Sequence, residues 1–241
     1  WKALWNGEIW KNNSVLGSIY NASLRTEFEK LGYQTEITGK HGQFEIKGVD
    51  RDVIDAFSQR RQEILETAAK LGRGANKTES LREITKRTRD PKLNPDNKIE
   101  LRAEWHGRAA KLGFDAKAMV EQARARTTDD KEQKLGTPAQ VQDLLKTIRD
   151  TVKIYTRPAD DLATNGFART LLTPTELRTE IATASAIRVA GERETSWTKG
   201  ELIKTALDLG IKGVTAGGVE QRMGQLVSSG QMLEGKTDRL D

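Results

Sequence analysis

Histidine, tyrosine and cysteine, the types that most often carry nucleophilic and metal chemistry, number two, three and none in this 241-residue chain, and their spacing argues against most of it. The two histidines, His41 and His106, are far apart in sequence and lack the close pairing that metal-binding segments show. Cysteine is absent, which excludes disulfides and thiolate metal sites. No Gly-x-x-x-x-Gly-Lys-Ser/Thr stretch occurs, so ATP hydrolysis through such a loop is excluded for this chain. What remains is binding chemistry. Asn13, Gly17 and Asn21 recur at i, i+4 and i+8, which on a helix stacks two amides on one ridge with a bare backbone between them. An Asn offers a paired donor and acceptor to a base edge, and a Gly admits close backbone approach. A solvated polar face, with the Gly admitting a neighbouring strand, fits the same spacing. Arg60 and Arg61 are adjacent, suited to holding phosphates by charge-assisted hydrogen bonds or to pairing with Glu63 and Asp55. Lys86, Arg87 and Arg89 form the densest basic run.

These groups need elements to position them. The ridge falls on a helix expected from about Ile9 to Leu31, whose Leu16, Tyr20, Leu24, Phe28 and Leu31 form an apolar stripe for a core and whose stop is Gly32. Residues 31–37 and 42–49 alternate like two strands, with Lys40-His41-Gly42 as the turn. A helix from about Asp50 to Leu71 buries Val53 or Ile54, Phe57, Ile64 and Ala68, leaving Arg51, Arg60 and Arg61 away from that stripe. Residues 72–97 combine Gly, Pro and basic residues as a linker. Beyond it Leu101, Trp105, Ala109 and Leu112 make a helical stripe in which Trp105 is a core anchor and His106 is exposed, Gly113 stops the helix, and a further helix spans Ala116 to Ala125.

Thr137-Pro138 opens a helix carrying Val141, Leu144, Leu145, Ile148 and Val152 inward. Residues 153–174 show no period. Helices follow from Thr175 to Val189, from the capping pattern Thr198-Lys199-Gly200-Glu201 to Gly210, and from Thr215 or Ala216 to Ser228. Gly230 to Leu233 begins a strand. Three helices and a strand read as a winged helix with Gln221, Arg222 and Gln225 on its outward face.

Lys and Arg exceed Asp and Glu by 40 to 35, a formal +5 and a pI near 9.3, within a well-mixed 31% of charged residues. That bias suits a nucleic-acid partner only where the arginines cluster. No apolar run reaches the roughly 18 residues of a membrane span, and the non-Met start carries no signal peptide. The expected compartment is the cytoplasm.

The order of "LGSIYNASL", "LGYQTEITGKHGQFEIKGV", "AFSQRRQEI" and "LRAEWHGRAAKLGFD" closely resembles the C-terminal part of the relaxase domain of conjugative relaxase-helicases of the MobF type, the TraI/TrwC family. The resemblance is strongest over residues 1 to about 70. It implies a parent that nicks a plasmid strand at the origin of transfer with a tyrosine and a histidine-held divalent metal, and that uses ATP farther along. Tyr20, Tyr33 and Tyr155 do not match the family's nucleophile and the histidine cluster is absent, so no cofactor is expected in this segment, which reads as an internal piece of a larger enzyme. The implied fold is α+β and helix-rich: the end of an HUH relaxase fold and its flap helix (1–71), a basic linker (72–97), a helical connector (98–152), an irregular linker (153–174) and a winged-helix-like start of the helicase region (175–241). The family's flap closes over a bound single strand, which places Arg60 and Arg61 on phosphates, while Asn13 and Asn21 match positions that discriminate nick-site bases. The basic run would follow the strand as it leaves. The implied partners are single-stranded DNA at the origin of transfer, the rest of the relaxase-helicase chain and the coupling protein of the secretion machinery. The other reading is a non-enzymatic helical, winged-helix adaptor that binds that coupling protein or duplex DNA.

Overall fold

The computed structural model describes residues 6–70, 83–85, 98–127, 133–157, 159–192 and 194–235. The fold is helix-rich α+β, divided into two compact units. One joins the segment up to Lys47 to that from Ala125 onward, and the other is Gly48–Arg124.

In the first unit the long helix expected from Ile9 is two helices, α1 (Gly7–Lys11) and α2 (Asn13–Lys30). Asn12 breaks it. Its side-chain Nδ2 donates to the Glu8 carbonyl at 2.9 Å, in competition with its own backbone N–H on the same oxygen. Gly32, with φ +86, stops α2: its N–H reaches the Glu29 carbonyl and that of Tyr33 reaches Phe28, which satisfies the end carbonyls in a Schellman arrangement. An antiparallel pair follows, β1 (Thr35–Ile37) and β2 (Phe44–Ile46), with Thr35 opposite Ile46 and Ile37 opposite Phe44. Phe28 holds the pair to α2 through edge-on contacts with Tyr33 and Phe44, at 5.7 and 6.0 Å between ring centres.

The buried face of α2 is not the leucine stripe. Ser18, Ala22 and Arg25 are buried, whereas Leu16, Tyr20 (65% exposed) and Leu31 are exposed and Leu24 and Phe28 half-buried. The reason lies in what α2 packs against. Helix α9 (Lys199–Asp208) packs along this face, where a Cβ on Gly200 would meet Val15 at an ordinary contact distance of 3.6 Å. Small side chains suit that packing.

The core of this unit is built on α7 (Pro138–Thr151), α8 (Pro174–Gly191), α9 and α10 (Ala216–Ser228). Each opens on a threonine whose hydroxyl accepts a first-turn N–H, and in α7, α8 and α9 a Gln or Glu three residues on completes a capping box. Helix α8 is buried at Leu177 and from Thr179 to Ala186, with Leu202 of α9 and Val219 and Leu226 of α10 closing around it. The aperiodic stretch 153–174 is held by polar bonds, which is why no apolar period shows. Buried Asp160 takes a two-pronged bond from Arg188 at 2.8 and 3.1 Å and caps the N–H groups of Leu162 and Arg157. Glu180 binds Thr164 twice and pairs with Arg222 at 3.1 Å. Gly230 to Leu233, expected to begin a strand, is turn and irregular backbone; after the Ser228 helix end, Gln231 and Met232 fold their N–H groups back onto the Leu226 carbonyl.

In the second unit the helix expected over 50–71 is α3 (Arg51–Phe57) and α4 (Gln59–Lys70). At Ser58 (φ −88, ψ 43) the Asp55 carbonyl accepts both the Ser58 N–H and the Gln62 side chain, so the helical ladder is diverted. Helices α5 (Lys98–Lys111) and α6 (Ala116–Arg126) are separated by Gly113 at φ +73, and Asp115 caps α6 through the N–H groups of Lys117 and Ala118. Among the described residues no helix is long and apolar enough to cross a membrane.

Candidate nucleic-acid interface

The asparagine ridge divides into an open end and a committed end. Asn13, at the first position of α2, is exposed. Asn21 is half-buried and its Nδ2 donates to the His41 carbonyl at 2.8 Å. That bond pins the turn between β1 and β2, where His41 sits in the left-handed region at φ 57, ψ 37. What Asn21 can still offer a base is its carbonyl oxygen and the second N–H of its amide. Gly17 faces the same turn, but a Cβ there would lie 3.9 Å from that of His41, ordinary contact, so no steric demand imposes glycine.

A second polar row on α2 went unread in the sequence. Ser18 donates to Asp208 at 2.7 Å, and Arg25, only 3% exposed, donates to the carbonyls of Gly210 and Ile211 at 3.0 and 2.8 Å. Glu29 lies 3.7 Å from its Nε. Burial lowers the Arg25 pKa from its usual high value, and the Glu29 carboxylate offsets part of that. With Ala22 these residues recur at i, i+4, i+7 and i+11, the signal that could have identified the docked face.

In the second unit, Arg60 is half-buried and already engaged: it donates to the Thr85 carbonyl at 2.9 Å and stands 3.4 Å from Glu63. Arg61 is exposed, and Arg51 pairs with Asp55 at 3.3 Å. Lys86, Arg87 and Arg89 lie outside the described residues. The ridge and the arginine pair belong to different units. On α10, Arg222 is not part of an open face, since it bonds Glu180, the Leu162 carbonyl and Gln225; Gln221 and Gln225 are exposed.

Two hollows complete the picture. In the first unit a cavity of about 630 Å³ lies between α2, β1 and the helices behind them, with Lys47, Arg178 and Lys212 facing Glu29 and Glu36. The second unit has a groove of about 530 Å³ that is mostly apolar, lined by Val53, Phe57, Trp105, Ala109 and Phe114 together with Arg102 and His106. Trp105, expected in the core, is 48% exposed there. Its stripe partner Ala109 is the one that goes inside, and Leu112 is also exposed. Among the described residues no cluster of His, Cys, Asp or Glu is arranged to hold a metal ion.

Residues 1–112, just under half of the chain, match the TrwC relaxase family, which supports a TraI/TrwC-like relaxase fragment of the MobF type. Among curated proteins it is similar to the multifunctional conjugation protein TraI of Escherichia coli, with 34% identity over 136 residues, and to that of strain K12, with 34% over 119 residues. These alignments cover 52% and 49% of this chain but 7% and 6% of those proteins. The chain thus spans a small fraction of the length of the relatives it matches.

Proposed function

We propose that this chain is the part of a conjugative relaxase-helicase that grips and reads single-stranded DNA at the origin of transfer, beside a nicking centre supplied by residues other than its own. The observation that carries the reading is the family match over residues 1–112. The surface chemistry supports it. Arg61 is exposed and would take a phosphate, Arg60 bonds the neighbouring backbone at Thr85, and Asn13 is exposed and would offer its amide to a base edge. In this reading Lys86, Arg87 and Arg89 extend the phosphate track, Gly17 lies beside the readout residues, and Asn21 holds the hairpin turn with one N–H while keeping its oxygen and its other N–H for a base. Divalent metal and ATP belong to the parent's other parts, and its remaining chain and the coupling protein are its protein partners.

The test compares labelled single strands across a salt series for wild type, Arg61→Ala and Asn13→Ala. Arg61→Ala should weaken all sequences alike and lower the salt slope by about 0.7, the value for one phosphate on a single strand. Asn13→Ala should narrow the gap between cognate and scrambled strands with the slope unchanged. If neither variant departs from wild type, the strand is held elsewhere. The second reading, an adaptor, draws on the three-helix set α8–α10 and the exposed Gln221 and Gln225; it predicts binding to duplex DNA or to the coupling protein instead.

A further inference from the structure

An exposed tryptophan inside an apolar groove calls for an occupant. Trp105 and Phe57, 48% and 40% exposed, both line the groove of the second unit, and neither has the burial of a core aromatic. Around them stand two guanidinium groups and an imidazole. Arg102 and His106 line the same groove and have no hydrogen bond or ion pair among the described residues, while the Arg108 guanidinium sits 5.7 Å from the centre of the Phe57 ring. The whole segment 48–124 carries 17 Lys and Arg against 13 Asp and Glu, which accounts for four of the chain's five net positive charges. A volume of about 530 Å³ is within the roughly 300–1,000 Å³ of small-ligand sites.

We propose that this groove is a stacking pocket for an unpaired base of single-stranded DNA, with the Trp105 indole as the platform and Arg102 drawing the adjoining phosphate. The proposal rests on the reading above that the chain holds a single strand. The occupant must bring a flat π-face and negative charge together, and a nucleotide does both. An apolar peptide would use the Trp105 and Phe57 walls and leave Arg102 unanswered. Stacking on an aromatic side chain is sequence-tolerant because every base has such a face, so this site adds grip rather than readout.

The test uses the full chain and a fluorescent single strand, intact or carrying one abasic position moved along its length. Trp105→Leu keeps apolar bulk and removes the stacking face; affinity for the intact strand should fall about 5- to 150-fold, the fold-change of one base–aromatic stack, with the salt slope unchanged. One abasic position should cost wild type a similar factor and cost Trp105→Leu nothing further. Trp105→Phe should recover most of the affinity. Wild-type binding that Trp105→Leu leaves intact overturns the pocket while sparing the single-strand reading; no binding by wild type at low salt removes both. Equal losses in the Leu and Phe variants together with a lowered melting temperature would assign Trp105 to packing, which also overturns it.

Discussion

The docking of α2 on α9 stands or falls with Arg25. In Arg25→Met the straight side chain fills much of the same volume, but two carbonyls, those of Gly210 and Ile211, lose their donor and Glu29 is left as a buried acid without its cation. Its side chain and that of Glu29 are only 4% and 10% exposed, so solvent screening gives little relief. Removing one partner of a buried ion pair costs about 3–5 kcal/mol, and the unpaired carbonyls fall within that range. For a domain whose total stability is of the order of 5–15 kcal/mol this is a large share. Urea denaturation followed by circular dichroism should show the midpoint lowered with the slope preserved. Adding Glu29→Met removes the stranded acid and should recover part of the loss, because an ion pair replaced as a whole by apolar groups is close to neutral. A loss below about 1 kcal/mol in the single variant, or a further loss in the double, would refute Arg25, paired within α2 to Glu29, as what holds α2 to the turn after α9.

Other consequences follow from single contacts. Gly210 has φ +74 and a Cβ there would come within 2.8 Å of Ile37 Cγ1, so Gly210→Ala should cost at least about 1 kcal/mol in the same denaturation assay. Asp160 has a lowered pKa: burial, the largest influence, pushes it up, but the bonds from Arg188 and from the N–H groups of Leu162 and Arg157 together outweigh it. A depressed folded-state value means stabilisation fully present above the ordinary carboxylate range and lost as pH falls through the folded value. Melting temperature should therefore hold from neutral pH to about pH 5 and fall on further acidification, with a shallower acid limb in Asp160→Asn; an identical limb would remove Asp160 as its source. Asn21→Ala should free the His41 turn, detected as faster amide exchange at Gly42 and Gln43, at a cost of about 1 kcal/mol.

Much of the fold was legible because its signals are local. The threonines at 137 and 198 act within one turn of themselves, as do the glycines at 32, 113 and 210, so caps and stops could be placed from a few neighbours. The register of the hairpin around residues 40–42 is likewise set by adjacent sequence. What failed was whatever depends on distant partners. The inward face of α2 is decided by Asp208, Gly210 and Ile211, some 190 positions away, and a leucine stripe concealed a row of small and charged residues that fits α9 better. The breaks at Asn12 and Ser58 come from side chains taking backbone carbonyls, an outcome that apolar period does not encode. Trp105 follows the same lesson: its stripe was read correctly as helical, yet Ala109 took the buried position. Of the site residues, Asn13 and Arg61 are exposed, and the engagement of Asn21 and Arg60 within the fold was not legible from their types.

The most direct test of the central claim is the affinity of the full chain for a labelled single strand, and for the same sequence as a duplex, between low and physiological salt. A chain that holds a single strand by its phosphates should bind it more tightly than the duplex, with log affinity falling linearly with log salt at a slope of about −0.7 for each phosphate held. Preference for the duplex, or no binding to either at low salt, would contradict it.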